Sequence, residues 1–454
     1  MRTIVTAMLA ATCLTSGCRE GSSPAAPVTT VNVDLENSDL FVGETTVATA
    51  LLRDAGENSL TGRPVTWTSS DPTVATIVGN GATAAIVAVS PGTTEISASS
   101  EGVTGVASLR VTTTAFVQIA VGNGHTCGRT SSGSLWCWGE NGAGQLGDGT
   151  ETNRSQPTQV VGGLTFVEVA AGVAHTCGRT ASASVYCWGS NFFRQLGDGS
   201  DISSPTPVRV SGTVSLHAIS AGPFLTCGLS SAGDVYCWGA SMFALDAGPL
   251  ALPTLVHGGG NFVELRLFGV HSCARTSTNT LCWGQNSLGQ LGDGTMTSRV
   301  NPAPVLGAPE FVRLAGPYGP ASCGLTAAGQ LWCWGTFRLP DGNRVNPLVP
   351  TPVHGVPELR DIAMSYDSAC VLTLNGRVLC WGSNSHGQLG DDTTIDRPSV
   401  GPVSGDMQFA QLASGYLHMC GLTLQGVAVC WGRNAFGQLG DGTFTDRSTP
   451  TRVK

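Results

Sequence analysis

Lysine is almost missing from this chain of 454 residues: 22 arginines stand against a single lysine, Lys454. No lysine follows a glycine-rich turn, so a Walker-type phosphate loop is excluded, and Schiff-base chemistry has no residue to carry it. Charge of either sign is scarce, with 12% Asp, Glu, Lys and Arg and a formal net charge of −8. A nucleic-acid footprint needs a basic face, which this balance does not supply. The chain has no His-Glu-x-x-His pair, no nucleophile elbow and no acid–base pair recurring in a defined setting. The expectation is a non-enzyme with no cofactor, no metal and no nucleic-acid partner. Long apolar runs are lacking too: Thr3–Ala11 is too short to span a bilayer as a mature helix.

What is present is one unit written seven times. Residues 125–149 read HTCGRTSSGSLWCWGENGAGQLGDG and residues 175–199 read HTCGRTASASVYCWGSNFFRQLGDG. The Cys-Trp-Gly core recurs at Trp138, Trp188, Trp238, Trp283, Trp334, Trp381 and Trp431, at spacings of 50, 50, 45, 51, 47 and 50 residues. A period near fifty with several short strand-like runs is the signature of a radially stacked blade, which cannot bury its faces alone. Each unit supplies four such runs. An alternating inner run such as Phe166–Ala170 is followed by two runs around the paired cysteines, joined by a turn such as Ser131–Gly133. A fourth, proline-bearing run such as Pro207–Val210 suits a sheet edge, because proline donates no ladder hydrogen bond. Four antiparallel strands taken seven times give a seven-bladed β-propeller.

The pattern H-x-C … G-x-x-x-C-W-G-x-N-x-x-G-Q-L-G-D-G resembles the regulator of chromosome condensation repeat, over roughly residues 116–454. The resemblance implies the same seven-bladed fold. Units three and five depart from it, since Ala240–Gly248 and Thr336–Asn343 lack the GQLGDG run, and their loops must take other shapes.

Fourteen of the sixteen cysteines fall in seven pairs: Cys127 with Cys137, Cys177 with Cys187, Cys227 with Cys237, Cys273 with Cys282, Cys323 with Cys333, Cys370 with Cys380, and Cys420 with Cys430. If the first hairpin folds about Ser132, Cys127 lies opposite Cys137, close enough for a disulfide. Each such staple contributes about 2–3 kcal/mol by loop entropy, and the contributions do not simply add. Zinc is the rival, because His-x-Cys plus a second cysteine offers three ligands. Histidine stands only at His125, His175, His271 and His418, whereas Leu225, Ala321 and Ser368 occupy the other three units with both cysteines kept. That favours disulfides over metal; reduced core thiols are the third option.

The first residues fit an oxidising destination. Met1-Arg2 and the apolar Thr3–Ala11 precede Leu14–Cys18, which resembles the lipobox of bacterial lipoproteins, with Thr15 in place of the usual leucine. Residues 1–17 then read as a lipoprotein signal peptide and Cys18 as the lipidated residue, ordinary signal-peptidase cleavage being the alternative. Residues 18–27 read as a flexible tether rich in Ser, Ala, Pro and Gly. Residues 28–113 contain no cysteine and alternate Thr, Val, Ser and Ala. Pro64–Ile77 with Pro91–Ser99 resembles bacterial group-2 Ig-like domains, which implies a β-sandwich with Trp67 in its core and a spacer or adhesive role without catalysis. The whole chain is thus expected to be all-β.

Two motif matches are set aside. Gly142–Gly147 fits a dinucleotide fingerprint by letter, but a sister unit reads RQLG and no helical pattern follows. The Asp-Gly pairs at Asp148, Asp198, Asp293 and Asp441 are turn dipeptides first, and one carboxylate per blade is too few for calcium.

Variation between units points to function. At the two positions before Gly-Gln-Leu-Gly, or their equivalents, Phe193, Phe243, Leu288 and Phe436 are expected to pack on the next blade. Phe192, Met242 and Phe337 stand where other units carry small residues. They form either a partner-binding rim or fillers of altered loops. The leading expectation is an exported, monomeric, lipid-anchored protein of the bacterial cell envelope, touching the membrane through its lipid only, whose propeller binds a protein or glycan. A secreted inhibitor, after a β-lactamase inhibitor with this repeat fold, is the second reading. Guanine-nucleotide exchange, the activity of the nuclear family member, is the third and rests on analogy alone.

Overall fold

A computed structural model describes residues 26–454 except 42–44, 113–114, 213, 241–247, 318 and 366. The described residues are all-β, with 39 strands. Chain contacts divide the molecule into Met1–Thr113 and Thr114–Lys454.

The first unit holds nine strands: β1 (Thr30–Leu35), β2 (Asp39–Phe41), β3 (Thr45–Arg53), β4 (Ser59–Leu60), β5 (Thr66–Ser69), β6 (Ala75–Asn80), β7 (Thr83–Ala88), β8 (Gly92–Ser100) and β9 (Val103–Thr112). They build two sheets, β1-β3-β7-β6 with β4 on the β3 edge, and β2-β9-β8-β5. Residues of β3 and β8 alternate between buried and more exposed, the period-two signature of a sheet with one covered face. Between the sheets lie Leu40, Ala48, Ile86, Ile96 and Leu109, with Trp67 packed against them. Trp67 donates its indole N–H to the Gly81 carbonyl at 3.0 Å, and a Cβ on Gly79 would stand 2.3 Å from its ring. Glycine at that position therefore lets the strand approach the tryptophan.

The second unit is a ring of seven four-stranded antiparallel sheets. The first blade is β10 (Phe116–Val121), β11 (His125–Thr130), β12 (Leu135–Gly139) and β13 (Arg154–Gln159), paired in sequence order from the axis outward. The second to seventh blades begin at Phe166, Leu216, Glu264, Phe311, Leu359 and Phe409. The fifth blade differs: its outer strand is cut to Thr351–Pro352, and an extra hairpin pairs Phe337–Arg338 with Arg344–Val345.

In every blade the two cysteines stand opposite each other on the second and third strands, with Cα atoms 4.1 Å apart and sulfurs bonded. Cys127 is bonded to Cys137, Cys177 to Cys187, Cys227 to Cys237 and Cys273 to Cys282. Cys323 is bonded to Cys333, Cys370 to Cys380 and Cys420 to Cys430. Of the three fates open to these cysteines in the sequence, the structure therefore has the intra-hairpin disulfide, in the same seven pairs.

Blades are joined by a repeated clamp. The Trp188 indole and the Thr176 hydroxyl both donate to the Gln145 carbonyl of the preceding blade, at 3.0 and 2.9 Å. Trp138 and Thr126 do the same to Gln438, which joins the last blade to the first. Leu146 packs against Trp188 from the same turn. Ring closure adds Phe116 N–H to the Gly426 carbonyl at 2.8 Å and a two-way bond between the Gln411 amide and the Ile119 backbone.

The four histidines lie inside these joints. His125 Nε2 is 2.9 Å from the Thr176 hydroxyl, and His175, His271 and His418 meet Thr226, Ser322 and Thr126 likewise. The Thr176 proton is committed to the Gln145 carbonyl, so His125 Nε2 carries the hydrogen and donates. Its Nδ1 has no partner among the described residues. Burial pushes His125 down to about 4, and His175, His271 and His418 to about 3, with the neighbouring His125 adding to the shift in His175 and His418.

These joints set the response to acid and to truncation. An unfolded histidine takes up a proton near pH 6.5 whereas the buried ones refuse it, so the unfolded state binds more protons and stability falls as pH drops from 6.5 toward 4. Each histidine contributes at most about 1.4 kcal/mol per pH unit. Urea unfolding between pH 7.5 and 5 should show this slope, and His175→Leu, which installs the residue of the third blade, should lower it by about one proton's worth. Deleting Asp446–Lys454 removes the outer strand of the last blade and Val453, which packs in the closing cluster with Trp138. Thermal melting should then drop by at least about 5 °C, or the protein should aggregate.

Candidate binding face

In five blades the loop between the third and fourth strands is built on one buried asparagine. In the first blade Asn141 Nδ2 donates to the Thr150 and Thr152 carbonyls, at 2.9 and 3.1 Å, and its Oδ1 accepts from Leu146 N–H. Asp148 accepts from the backbone and hydroxyl of Thr150 and pairs with Arg154. Burial works against the Asp148 carboxylate, but the bonds from Thr150 and Arg154 outweigh it and hold it below the usual carboxylate range. Asp293 and Asp441 behave the same way with Thr295 and Arg299, and with Thr443 and Arg447. These carboxylates are spent on their own loops, which answers the calcium reading with a positive structural role. Gly144, with φ of 81°, turns the loop, and its missing Cβ admits Pro205 of the next blade at 2.5 Å.

Adjacent strands run in opposite directions, so the connections between first and second strands emerge at the same end as the long loops. Four aromatic side chains are exposed among the described residues, and all four are on this face. Phe192 and Phe444 stand in the long loops of the second and seventh blades; Phe224 and Tyr416 stand in first-to-second turns. Phe192, 78% exposed, meets Phe193 edge-on at 5.0 Å, and Phe193 in turn lies 4.8 Å from Phe224 of the third blade. Ile202 is exposed on the same loop as Phe192, and Met296 and Ile395 are exposed on the long loops of the fourth and sixth blades. The charge here is small: Glu140, half-buried, is pushed up by burial against the opposing pull of Arg433, which itself stacks over Phe436 at 5.5 Å.

The residues singled out in sequence are not brought together. Phe192 is exposed, Met242 lies outside the described residues, and Phe337 is only 7% exposed. Phe337 is thus a filler, not part of a rim. In the fifth blade, which lacks the Gln-Leu turn, Phe337 packs against Trp381, where Leu146 packs against Trp188 in the first joint. The Arg338 carbonyl accepts the Trp381 indole at 2.9 Å, the part Gln145 plays for Trp188. Phe193 packs on the next blade as expected, and Phe436 sits 3.1 Å from where a Gly124 Cβ would be. Leu288 is partly exposed, and Phe243 and Cys18 lie outside the described residues. Phe224, Tyr416 and Phe444 were missed; comparing the residues just before His125 and its counterparts, and just after each Asp-Gly, would have found them.

The altered fifth blade also opens an apolar cleft of about 850 Å³ between its hairpin and the outer strand of the sixth, lined by Leu339, Pro340, Val345, Pro347, Pro352 and Val400 among others. The histidines do not turn to the cysteines: their Nε2 atoms are committed to hydroxyls of the next blade. Each cysteine pair is closed on itself as a disulfide, which removes the thiolates that a zinc ion would need.

Comparison with known proteins matches this geometry. Residues 76–400 match the RCC1-like domain, residues 409–438 and 426–454 match the regulator of chromosome condensation (RCC1) repeat, and residues 27–119 match the bacterial Ig-like domain (group 2). The stretch from 76 to 113 is claimed by two of these models and belongs to the sandwich in the structure. The chain is 34% identical over 139 residues to the RCC1 domain-containing protein RUG3, mitochondrial, of Arabidopsis thaliana, covering 28% of this chain and 31% of that protein. It is 33% identical over 152 residues to the X-linked retinitis pigmentosa GTPase regulator homolog of Caenorhabditis elegans, covering 32% and 11%. The matches therefore span less than a third of either relative. Yeast RCC1 (Prp20), solved bound to Kap60, superposes with a TM-score of 0.62 at 21% identity, over 71% of this chain and 83% of that one. Human WBSCR16 gives 0.61 at 22% identity, over 72% and 92%. At these identities the likeness is one of fold. With seven sequential four-stranded blades and a family model covering most of its length, the chain belongs to the RCC1-like domain family, and it carries a bacterial group-2 Ig-like domain ahead of the propeller.

Proposed function

We propose that this protein is an exported, lipid-anchored binding protein of the bacterial cell envelope whose propeller engages a protein partner through the face carrying the long loops. One observation carries the reading: every exposed aromatic among the described residues lies on that face. Aromatics dominate the energetics of protein interfaces, and soluble proteins rarely leave several exposed together without use. The long loops carrying Phe192 and Phe444 are tied by the fully buried Asn191 and Asn434, so these side chains are presented without a large ordering cost. Fold relatives bind proteins, as in the complex of yeast RCC1 with Kap60. Seven closed cystines fit an oxidising compartment, in keeping with the signal-like residues 1–17 and Cys18. Nucleotide exchange and inhibition rest on likeness to relatives, and no residue of this chain speaks for either.

The interface is tested with the double variant Phe192→Ser, Phe444→Ser. Both side chains are exposed, so stability should change by under about 0.5 kcal/mol each. Retention of the partner from an envelope extract should fall at least tenfold, or about 1.4 kcal/mol. Unchanged retention by a folded variant would remove the aromatic face from the account.

The anchor is tested separately. Wild-type protein should sediment with membranes, and Cys18→Ser should be released to the soluble fraction while keeping its disulfides. Equal sedimentation of the two would sink lipidation, and free thiols throughout the wild-type protein would sink export.

A further inference from the structure

The innermost strands of the seven blades surround a cavity of about 360 Å³. Counted from Phe116 and its counterparts, Phe262 in the fourth blade, the third residue spends its side chain on the neighbouring blade in every blade but the third, which has Ala218 there. Gln118 bonds the Val169 backbone, Glu168 accepts from Ile219 N–H, Glu264 from Leu314 N–H, and Gln411 holds Ile119. The fifth residue is small nearly all round the ring: Ala120, Ala170, Ser220, Ala315, Ala363 and Ala413. In the fourth blade that position is Arg266, which lines the cavity with its side chain 45% exposed. Arg313, at the third position of the fifth blade, lines it too and is 36% exposed.

These guanidiniums are incompletely neutralised. Glu264 is shared by Arg266 and Arg275, at 3.0 and 2.8 Å, so one carboxylate faces two cations. Asp361 is paired with Arg313 at 3.0 Å and already accepts the Ile362 N–H. Glu168 is paired with Arg179, and Arg129 donates to the uncharged Gln118. Five arginines thus share three carboxylates on the inner two strands of these blades, and of the five Arg266 and Arg313 line the cavity. Arg266 reaches Glu264 through Nε, and its two Nη groups have no hydrogen-bond partner among the described residues. A planar fork with free Nη donors, in a cavity whose lining includes one carboxylate, Glu168, already paired with Arg179, suits a carboxylate or other oxyanion.

We propose that the central cavity binds a small carboxylate anion through Arg266, with Arg313 as the second cation. The site is independent of the aromatic face. The test is calorimetric titration of the full chain with succinate, and in parallel with inorganic phosphate, at low ionic strength. Succinate should bind one site saturably, and Arg266→Ala should weaken it at least tenfold. That variant installs the residue five other blades carry, so the fold should survive, and an unchanged melting temperature in the absence of ligand checks this. Arg266→Lys, which keeps the charge and loses the fork, should bind more weakly than wild type. No saturable succinate binding up to about 10 mM would overturn the proposal. So would equal affinity in wild type and Arg266→Ala, or binding of phosphate with none of succinate.

Discussion

A backbone carbonyl within the long loop holds most joints of the ring together. Gln145, Gln290, Gln388 and Gln438 each offer that oxygen to the tryptophan indole of the next blade. Such a bond contributes about 0.5–1.5 kcal/mol net, yet a buried indole left without it costs more. The tryptophan therefore favours a neighbour that delivers a carbonyl at one height and depth; at the second joint the Gln195 carbonyl takes the Thr226 hydroxyl alone and the Trp238 indole N–H is left without a partner among the described residues. That demand explains why Asn141 and its counterparts are fully buried: they fix the loop so that the carbonyl arrives. The cysteine pairs act one level below, locking the hairpin that carries the tryptophan.

This arrangement separates frame from surface. Side chains between blades are buried and mostly bonded across the joint, including histidines that elsewhere serve as ligands or acid–base groups. Freedom to vary is left to the outer positions of the loops, and there the blades differ: Phe192, Leu288 and His386 fall at or next to one repeat position. His386 is tied to Asp446 of the next blade at 2.7 Å, so even this variable position is used differently from blade to blade. A repeat protein of this kind carries its individuality on one face and its stability between blades.

Most of the architecture was legible in the sequence because a period near fifty, four runs per period and paired cysteines are local signals. The fate of Phe337 was not. Aligning it with Phe192 assumed that the fifth loop keeps the shape of its sisters, whereas a hairpin there turns Phe337 inward to fill the place of a missing leucine. The clamp was equally hidden, since its acceptor is backbone and leaves no letter of its own. Arg266 was legible in principle, as the one charged residue in a column of small ones, but only after the inner strands are aligned as strands. Phe224 and Tyr416 escaped because they sit in turns, where residues vary for many reasons.

The cystines close only within blades, so no covalent bond other than the chain itself joins one blade to another. Under tension each blade would behave as a stiff link, and extension would have to come from the joints. The first and last blades are the only consecutive pair in the ring without a chain connection, held by Trp138, Gln411 and the Phe116 amide. A pull on the chain entering at Phe116 would act directly on the strand that the Gly426 carbonyl and the Gln411 amide hold to the last blade. The ring is then a closed buckle whose tongue is its first strand.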